Sequence, residues 1–191
     1  MNEILGLLAI LIGLIGYIPY FTTIFSGKTK PHAFTWFVWG LLTAIAFGGQ
    51  VAGDGGAGAW VTGFTAFISF IICALGLVKG KRDFPLADWL CLVGCMLALA
   101  LWALTDNPLS AIILITIIDI LAFIPTFRKS YHKPDSEPAF TYALSGLKFV
   151  IGIAALQNLS AVTVIYPASL VLTNGLFVLM LIVRRKQLSE V

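Results

Sequence analysis

Seven runs of about twenty mostly apolar residues, 4–25, 33–51, 57–78, 86–104, 108–127, 139–156 and 161–183, take up most of the chain. An α-helix rises about 1.5 Å per residue, so each run approaches the roughly 30 Å of a bilayer's hydrocarbon core. Lipid offers no water to unpaired backbone groups, so a lipid-exposed segment must satisfy its own N–H and C=O groups as a helix. Period-two alternation is absent from all seven runs. The composition agrees: 11% of residues are charged, against about 25% in a soluble domain. The expectation is an all-α integral membrane protein with seven transmembrane helices. The first run lacks a basic leader and a small-residue cleavage site, and is expected to stay as a helix.

The basic residues set the orientation. Lys28 and Lys30 follow the first run, Lys79, Lys81 and Arg82 the third, Arg128, Lys129 and Lys133 the fifth, and Arg184, Arg185 and Lys186 the seventh. The opposite ends carry Glu3, Asp54, Asp106 and the neutral pair Gln157–Asn158. Positive charge is retained on the cytoplasmic side, which places the N-terminus outside and the C-terminus inside. The short loops suit a bacterial inner membrane. A net charge of +3 accounted for by topology gives no reason to expect a nucleic acid partner. Cys73, Cys91 and Cys95 lie within apolar runs and read as small buried hydrophobes. No His or acid accompanies Cys91 and Cys95 on their face, so no metal is expected, and no cofactor either.

The chain also repeats itself. Shifting it by 106 residues lays Ile18–Pro19 on Ile124–Pro125, Phe21 on Phe127, Ala33-Phe34-Thr35 on Ala139-Phe140-Thr141, and Gly40-Leu41 on Gly146-Leu147. Runs one to three and five to seven are therefore two copies, and run four is left over. Three helices reverse the chain's direction and one more restores it, so the copies are parallel, related by an axis along the membrane normal. The expected organisation is a first three-helix repeat at 1–82, a linker helix at 83–106 and a second repeat at 107–191.

This three-plus-one-plus-three layout has a proline in the basic-end half of helices one and five, then a basic loop, Gly27-Lys28-Thr29-Lys30. It resembles the PQ-loop superfamily, to which SWEET, SemiSWEET and cystinosin-like transporters belong, over nearly the whole chain. The Pro-Gln dipeptide of the family reads Pro19-Tyr20 and Pro125-Thr126 here. The resemblance implies a transporter with a central site between two three-helix bundles, open alternately to either side, with Pro19 and Pro125 as pivots. It implies a pocket asparagine at Asn174, whose counterpart in the first copy is Ile68, with Ser69 beside it.

Pro19 and Pro125 have a physical role of their own, because proline removes a backbone donor and kinks its helix. The charges Asp119 and Lys148 stand out further. A charge at mid-bilayer costs about 2.5–3.5 kcal/mol, so such groups usually pair or line a polar cavity. Asp119 lies eleven residues in from Pro108 and Lys148 nine in from Gln157, giving similar depths of roughly 16 and 14 Å. Facing each other, they would make a structural ion pair, bind the charged ends of a zwitterion, or form a proton relay at Asp119 modulated by Lys148. Thr43, Thr65, Ser69, Ser145, Thr173 and Asn174 add neutral polarity at intermediate depth; such hydroxyls most often bond back to a helix, whereas Asn174 suits a cavity wall. His32 and His132 read as ordinary loop residues. The five tryptophans, Trp36, Trp39, Trp60, Trp89 and Trp102, read as interfacial anchors, and the glycine run 53–58 as a flexible turn.

No nucleophile triad, HExxH or phosphate-loop pattern is present, so an enzyme is not expected. The expected function is secondary transport of a small polar solute, such as a sugar, an amino acid or a related zwitterion, with protons as candidate co-substrate. The alternative is a seven-helix receptor of the same superfamily that binds its ligand without moving it. Lipid is the expected surrounding, and the chain works as a monomer or a homo-oligomer.

Overall fold

The computed structural model describes residues 1–79 and 86–189. Lys81, Arg82 and the expected boundary after residue 82 lie outside the described residues, as do the side chains of Pro125, Lys129, Ser136 and Ser189. Among the described residues the chain forms seven α-helices and no strand. They are α1 (Asn2–Phe25), α2 (Ala33–Ala52), α3 (Trp60–Lys79), α4 (Leu86–Thr105), α5 (Pro108–His132), α6 (Ala139–Ala154) and α7 (Ala161–Ser189). Short 3-10 turns at Gly56–Ala59 and Pro134–Ser136 complete two of the connections.

Six of these helices are long and apolar enough to cross a membrane. Their outer faces are apolar, as lipid contact requires: Ile4, Leu11 and Ile18 of α1 and Leu90, Met96 and Leu97 of α4 are each more than half exposed. The sixth run departs from expectation. Helix α6 has only 16 residues, about 24 Å. The apolar residues beyond it, Ala155 and Leu156, are buried in the bundle's end instead of extending the helix. There Gln157 N donates to Gly55 O at 3.1 Å.

Helix α3 packs against both α1 and α2, and α7 against both α5 and α6; between these groups α1 packs on α6 and α2 on α5. A shift of 106 residues carries each of these pairings onto another of them. Side chains follow the same correspondence. Tyr17, Phe21, Trp36 and Ile71 gather around Ile24, Ile68 and Ile72. Their counterparts Phe123, Phe127 and Tyr142 ring Phe177, with centroids 5.2, 5.0 and 4.5 Å away. Helix α4 lies outside both groups, against α5 and α2, and Thr35 Oγ1 of α2 donates to Asp88 Oδ2 of α4. Trp36 and Trp39 are not interfacial anchors. They meet edge to face at 5.4 Å, Trp36 Nε1 donates to Tyr20 OH at 3.1 Å, and Trp39 covers the core around Leu42. Trp60 and Trp89, 39% and 49% exposed, keep the anchor position.

At the end opposite the basic residues the glycine run forms a tight seam. A Cβ on Gly58 would stand 2.6 Å from Gly152 O, Leu156 N and Leu156 Cδ2, and one on Gly55 2.8 Å from Gln50 O. Gly6 of α1 lies as close to the same turn, its Cβ position being 2.6 Å from Ala57 O. These glycines serve close backbone approach, so the flexible-turn expectation is corrected. Gly56 alone adds a positive φ, +59°.

A further proline, Pro167, lies inside α7. It lacks the N–H that would bond the carbonyl of Thr163, one turn earlier. Gln50 of α2 supplies the donor instead, Nε2 reaching Thr163 O at 2.9 Å inside the bundle. A freed carbonyl in a membrane helix needs such a partner from a neighbouring element.

Candidate functional site

Four residues of α6, Thr141, Leu144, Ser145 and Lys148, are spaced three or four apart and so share one face of the helix. That face meets Ile12, Gly13, Gly16 and Tyr17 of α1 across a cavity of about 50 Å³. The two glycines make the room. A Cβ at Gly13 would lie 3.1 Å from Phe64 Cε1 and 3.3 Å from Lys148 Cδ, and one at Gly16 3.5 Å from Leu144 Cβ.

Lys148 dominates the site and is only 2% exposed. Its Nζ donates to Thr65 Oγ1 of α3 at 2.9 Å, while the Thr65 hydroxyl donates to Val61 O at 2.7 Å. The hydroxyl's proton is thereby turned away and its lone pairs face the ammonium. The rings of Tyr17 and Phe149 lie 4.8 and 4.9 Å from Nζ. A charged hydrogen bond is worth about 1.5–3 kcal/mol and a desolvated cation–π contact about 2. Contacts of this kind offset the roughly 2.5–3.5 kcal/mol cost of a charge at mid-bilayer. The ammonium is therefore held without a carboxylate.

Asp119 is not its partner. Among the described residues no ion pair joins the two, and Asp119 lies within electrostatic range of Tyr166, Cys91 and Cys95 instead. Helix α7 stands between the two charged helices: α5 turns toward α4 and α2, and α6 toward α1. Equal depth along two helices does not fix the direction in which either side chain points. Under the duplication Asp119 corresponds to Gly13 and Lys148 to Leu42. Lys148 and Gly13 share the α1–α6 seam, whereas Asp119 and Leu42 belong to the equivalent helices α5 and α2 on the other side.

The remaining candidates divide. Ser145 lines the cavity. Thr43 Oγ1 donates to Trp39 O at 2.6 Å and Ser69 Oγ to Thr65 O at 2.9 Å, each within its own helix. Asn174 is buried and does not line the cavity; its Nδ2 donates to Leu170 O at 2.7 Å, and it packs toward Gly146. Pro19 lies in α1 on the exposed side, one turn from Gly16 and Tyr17. Position 125 falls within α5. The imidazole Nδ1 of His32, expected to be an ordinary loop group, is buried and has no hydrogen-bond partner among the described residues.

Sequence reasoning passed over Gly13, Gly16, Tyr17 and Thr141. The stripe Thr141, Ser145, Lys148 at i, i+4, i+7 was the available signal. Nearer the basic end, outside the cavity lining, a group of polar and aromatic side chains meets. Tyr142 OH donates to Glu137 Oε2 at 3.1 Å, and Tyr20, bonded by Trp36, lies within electrostatic range of both Glu137 and Tyr142.

Protein-family models, curated proteins and solved structures gave no match to this chain. The functional reading therefore rests on the site itself.

Proposed function

We propose that the chain is a secondary transporter of the PQ-loop type, moving a small polar solute by rocking one three-helix group against the other. The observation that carries this reading is the contrast between the two ends of the α1–α6 seam. Toward Asp54 the seam is closed by backbone-to-backbone glycine contacts, such as Gly58 against Gly152 O. Toward the basic end lies a cavity lined by Lys148, Ser145 and Thr141, with the contacts of Tyr20 with Trp36 and of Tyr142 with Glu137 grouped on that side. A cavity holding a few polar groups in a seam whose far end is closed by helix packing suits one conformation of an alternating-access cycle. The equivalent packing of the two copies supports a parallel-repeat arrangement, with Pro19 and Pro125 as its pivots. On the positive-inside reading the basic end is cytoplasmic.

The test is uptake of a mixed panel of sugars, amino acids and small anions into proteoliposomes, with and without an inward proton gradient. Wild type is compared with Gly16→Leu, which fills the cavity, and with Asp119→Asn. Flux lost in Gly16→Leu while the variant unfolds at the wild-type temperature supports transport through this seam. Gradient-driven flux lost only in Asp119→Asn assigns the proton to Asp119. Saturable binding with no flux for any solute would replace transport with the receptor function.

A further inference from the structure

The α1–α6 cavity presents a donor set that the described residues satisfy only in part. Lys148 has three N–H groups, and Thr65 Oγ1 accepts one of them. The hydroxyls of Thr141 and Ser145 line the same cavity, one and two turns along the same helix face, and among the described residues neither is hydrogen-bonded to another side chain or to the backbone. Among the described residues no carboxylate forms an ion pair with Lys148. The site thus offers an ammonium and two hydroxyls in a row, walled by the face of Tyr17 and by Gly13 and Gly16.

We infer that Lys148, Ser145 and Thr141 bind the carboxylate of a small organic monoanion in the α1–α6 cavity. A carboxylate is acceptor-only, with two oxygens and about four lone-pair sites, enough to accept from an ammonium and hydroxyls together. One cation in a site otherwise walled by apolar groups balances one negative charge, which favours a carboxylate over a dianionic phosphate. A buried water occupies about 10–15 Å³ of such volume, so about 50 Å³ admits roughly four heavy atoms. That is the size of a carboxylate with a carbon stem of one or two atoms. The opposite side of the ligand would meet Ile12 and Leu144, which suits an alkyl or hydroxyalkyl group and offers no anion for an amino group. The inference rests on the transporter reading for the anion's fate and on the geometry alone for its binding.

The test uses purified protein with acetate as probe and acetamide as uncharged isostere, in binding titrations and in proteoliposome flux. Wild type is expected to bind acetate at least tenfold more tightly than acetamide. Lys148→Met and Lys148→Gln should weaken acetate at least about thirtyfold, the effect of removing one member of a buried charge pair. Lys148→Arg should retain part of the affinity, and Lys28→Gln, which removes an exposed cation at the basic end, should retain all of it. Equal affinity for acetate and acetamide, or unchanged acetate binding in Lys148→Met, overturns the inference. Should the Lys148 variants fail to fold, the Thr141→Val/Ser145→Ala double variant decides, because undiminished acetate affinity there overturns it too. Acetate binding that depends on Lys148 with no flux of any solute upholds this site and removes the transporter reading. Flux of a sugar or an amino acid insensitive to Lys148→Met, with no carboxylate binding, upholds transport and removes the site.

Discussion

Replacing Gln50 by Met should destabilise the bundle, and the loss should vanish when Pro167 is replaced by Ala. The argument is local. Pro167 leaves Thr163 O without its intrahelical donor, and Gln50 Nε2 is that carbonyl's partner at 2.9 Å in a buried position. Methionine keeps the length and apolar body of the side chain but removes the donor, so the cost should be that of an orphaned buried carbonyl, about 1–3 kcal/mol. The lower half of that range applies, because Gln50 Oε1 is itself buried without an acceptor role and its removal gives some of the loss back. In Pro167→Ala a backbone N–H returns at position 167 and can bond Thr163 O within α7, so Gln50→Met in that background should cost close to nothing. The coupling between the two sites, about 0.5–3 kcal/mol for residues sharing one partner, is the quantity to measure. Reversible unfolding in mixed micelles of the four proteins, followed by tryptophan fluorescence, supplies it. If Gln50→Met is as costly in the Pro167→Ala background as in wild type, the glutamine is not there for the proline's carbonyl and the reasoning fails.

Three other outcomes are expected. Gly58→Ala should destabilise by about 1–3 kcal/mol, because its Cβ meets backbone atoms of α6 and Leu156 at 2.6 Å, while Gly175→Ala, with nothing within 4 Å, should stabilise by about 0.4–1 kcal/mol; unfolding curves for the pair check both signs. Thr65→Val should cost about 1–3 kcal/mol in wild type and almost nothing beside Lys148→Met, since the hydroxyl's role is to accept from that ammonium; equal costs in the two backgrounds would refute it. Asp88→Ala should cost about 1 kcal/mol, where Thr35 donates to Asp88, seen as a lower unfolding temperature that Thr35→Val does not lower further.

Much of the fold was legible, because the signals that carry it are one-dimensional. Apolar run length marks a membrane helix, and a fixed offset of prolines, aromatics and Ala-Phe-Thr triplets marks a duplication. What failed required a direction or a distance. The depths of Asp119 and Lys148 can be counted along a helix, but their facing depends on α7 standing between α5 and α6. A glycine run reads alike whether it serves slack or contact, and only the 2.6 Å approach at Gly58 tells the two apart. The run ending at residue 156 reads as a full span because Ala155 and Leu156 are apolar, and hydropathy does not separate a residue facing lipid from one tucked under a loop. Of the candidate site residues, Lys148 and Ser145 meet in one cavity. Thr43, Ser69 and Asn174 bond to their own helices, as short polar side chains in membrane helices commonly do.

The two equivalent seams are the reason the broken symmetry matters. A duplication imposes the same helix packing at α1–α6 and at α2–α5, but it does not impose the same filling. The α2–α5 side is packed with Leu42, Ile45, Ala46, Ala111, Ile112 and Ile115, all nearly or wholly buried. Position 42 is Leu in the first copy where the second has Lys148, and position 13 is Gly where the second has Asp119. The exchange at position 42 thus fills one seam with an aliphatic side chain where the other holds a cation beside a cavity, while the charge of Asp119 belongs to the helix α5 of the filled side. Close-packed aliphatic surfaces resist separation, since parting them forfeits dispersion contacts across the whole face. A seam holding a cavity and a few polar groups gives up less. If the two groups rock as proposed, α2–α5 is the side that stays together and α1–α6 the side that opens, which makes the solute path one-sided in a molecule built from two like halves.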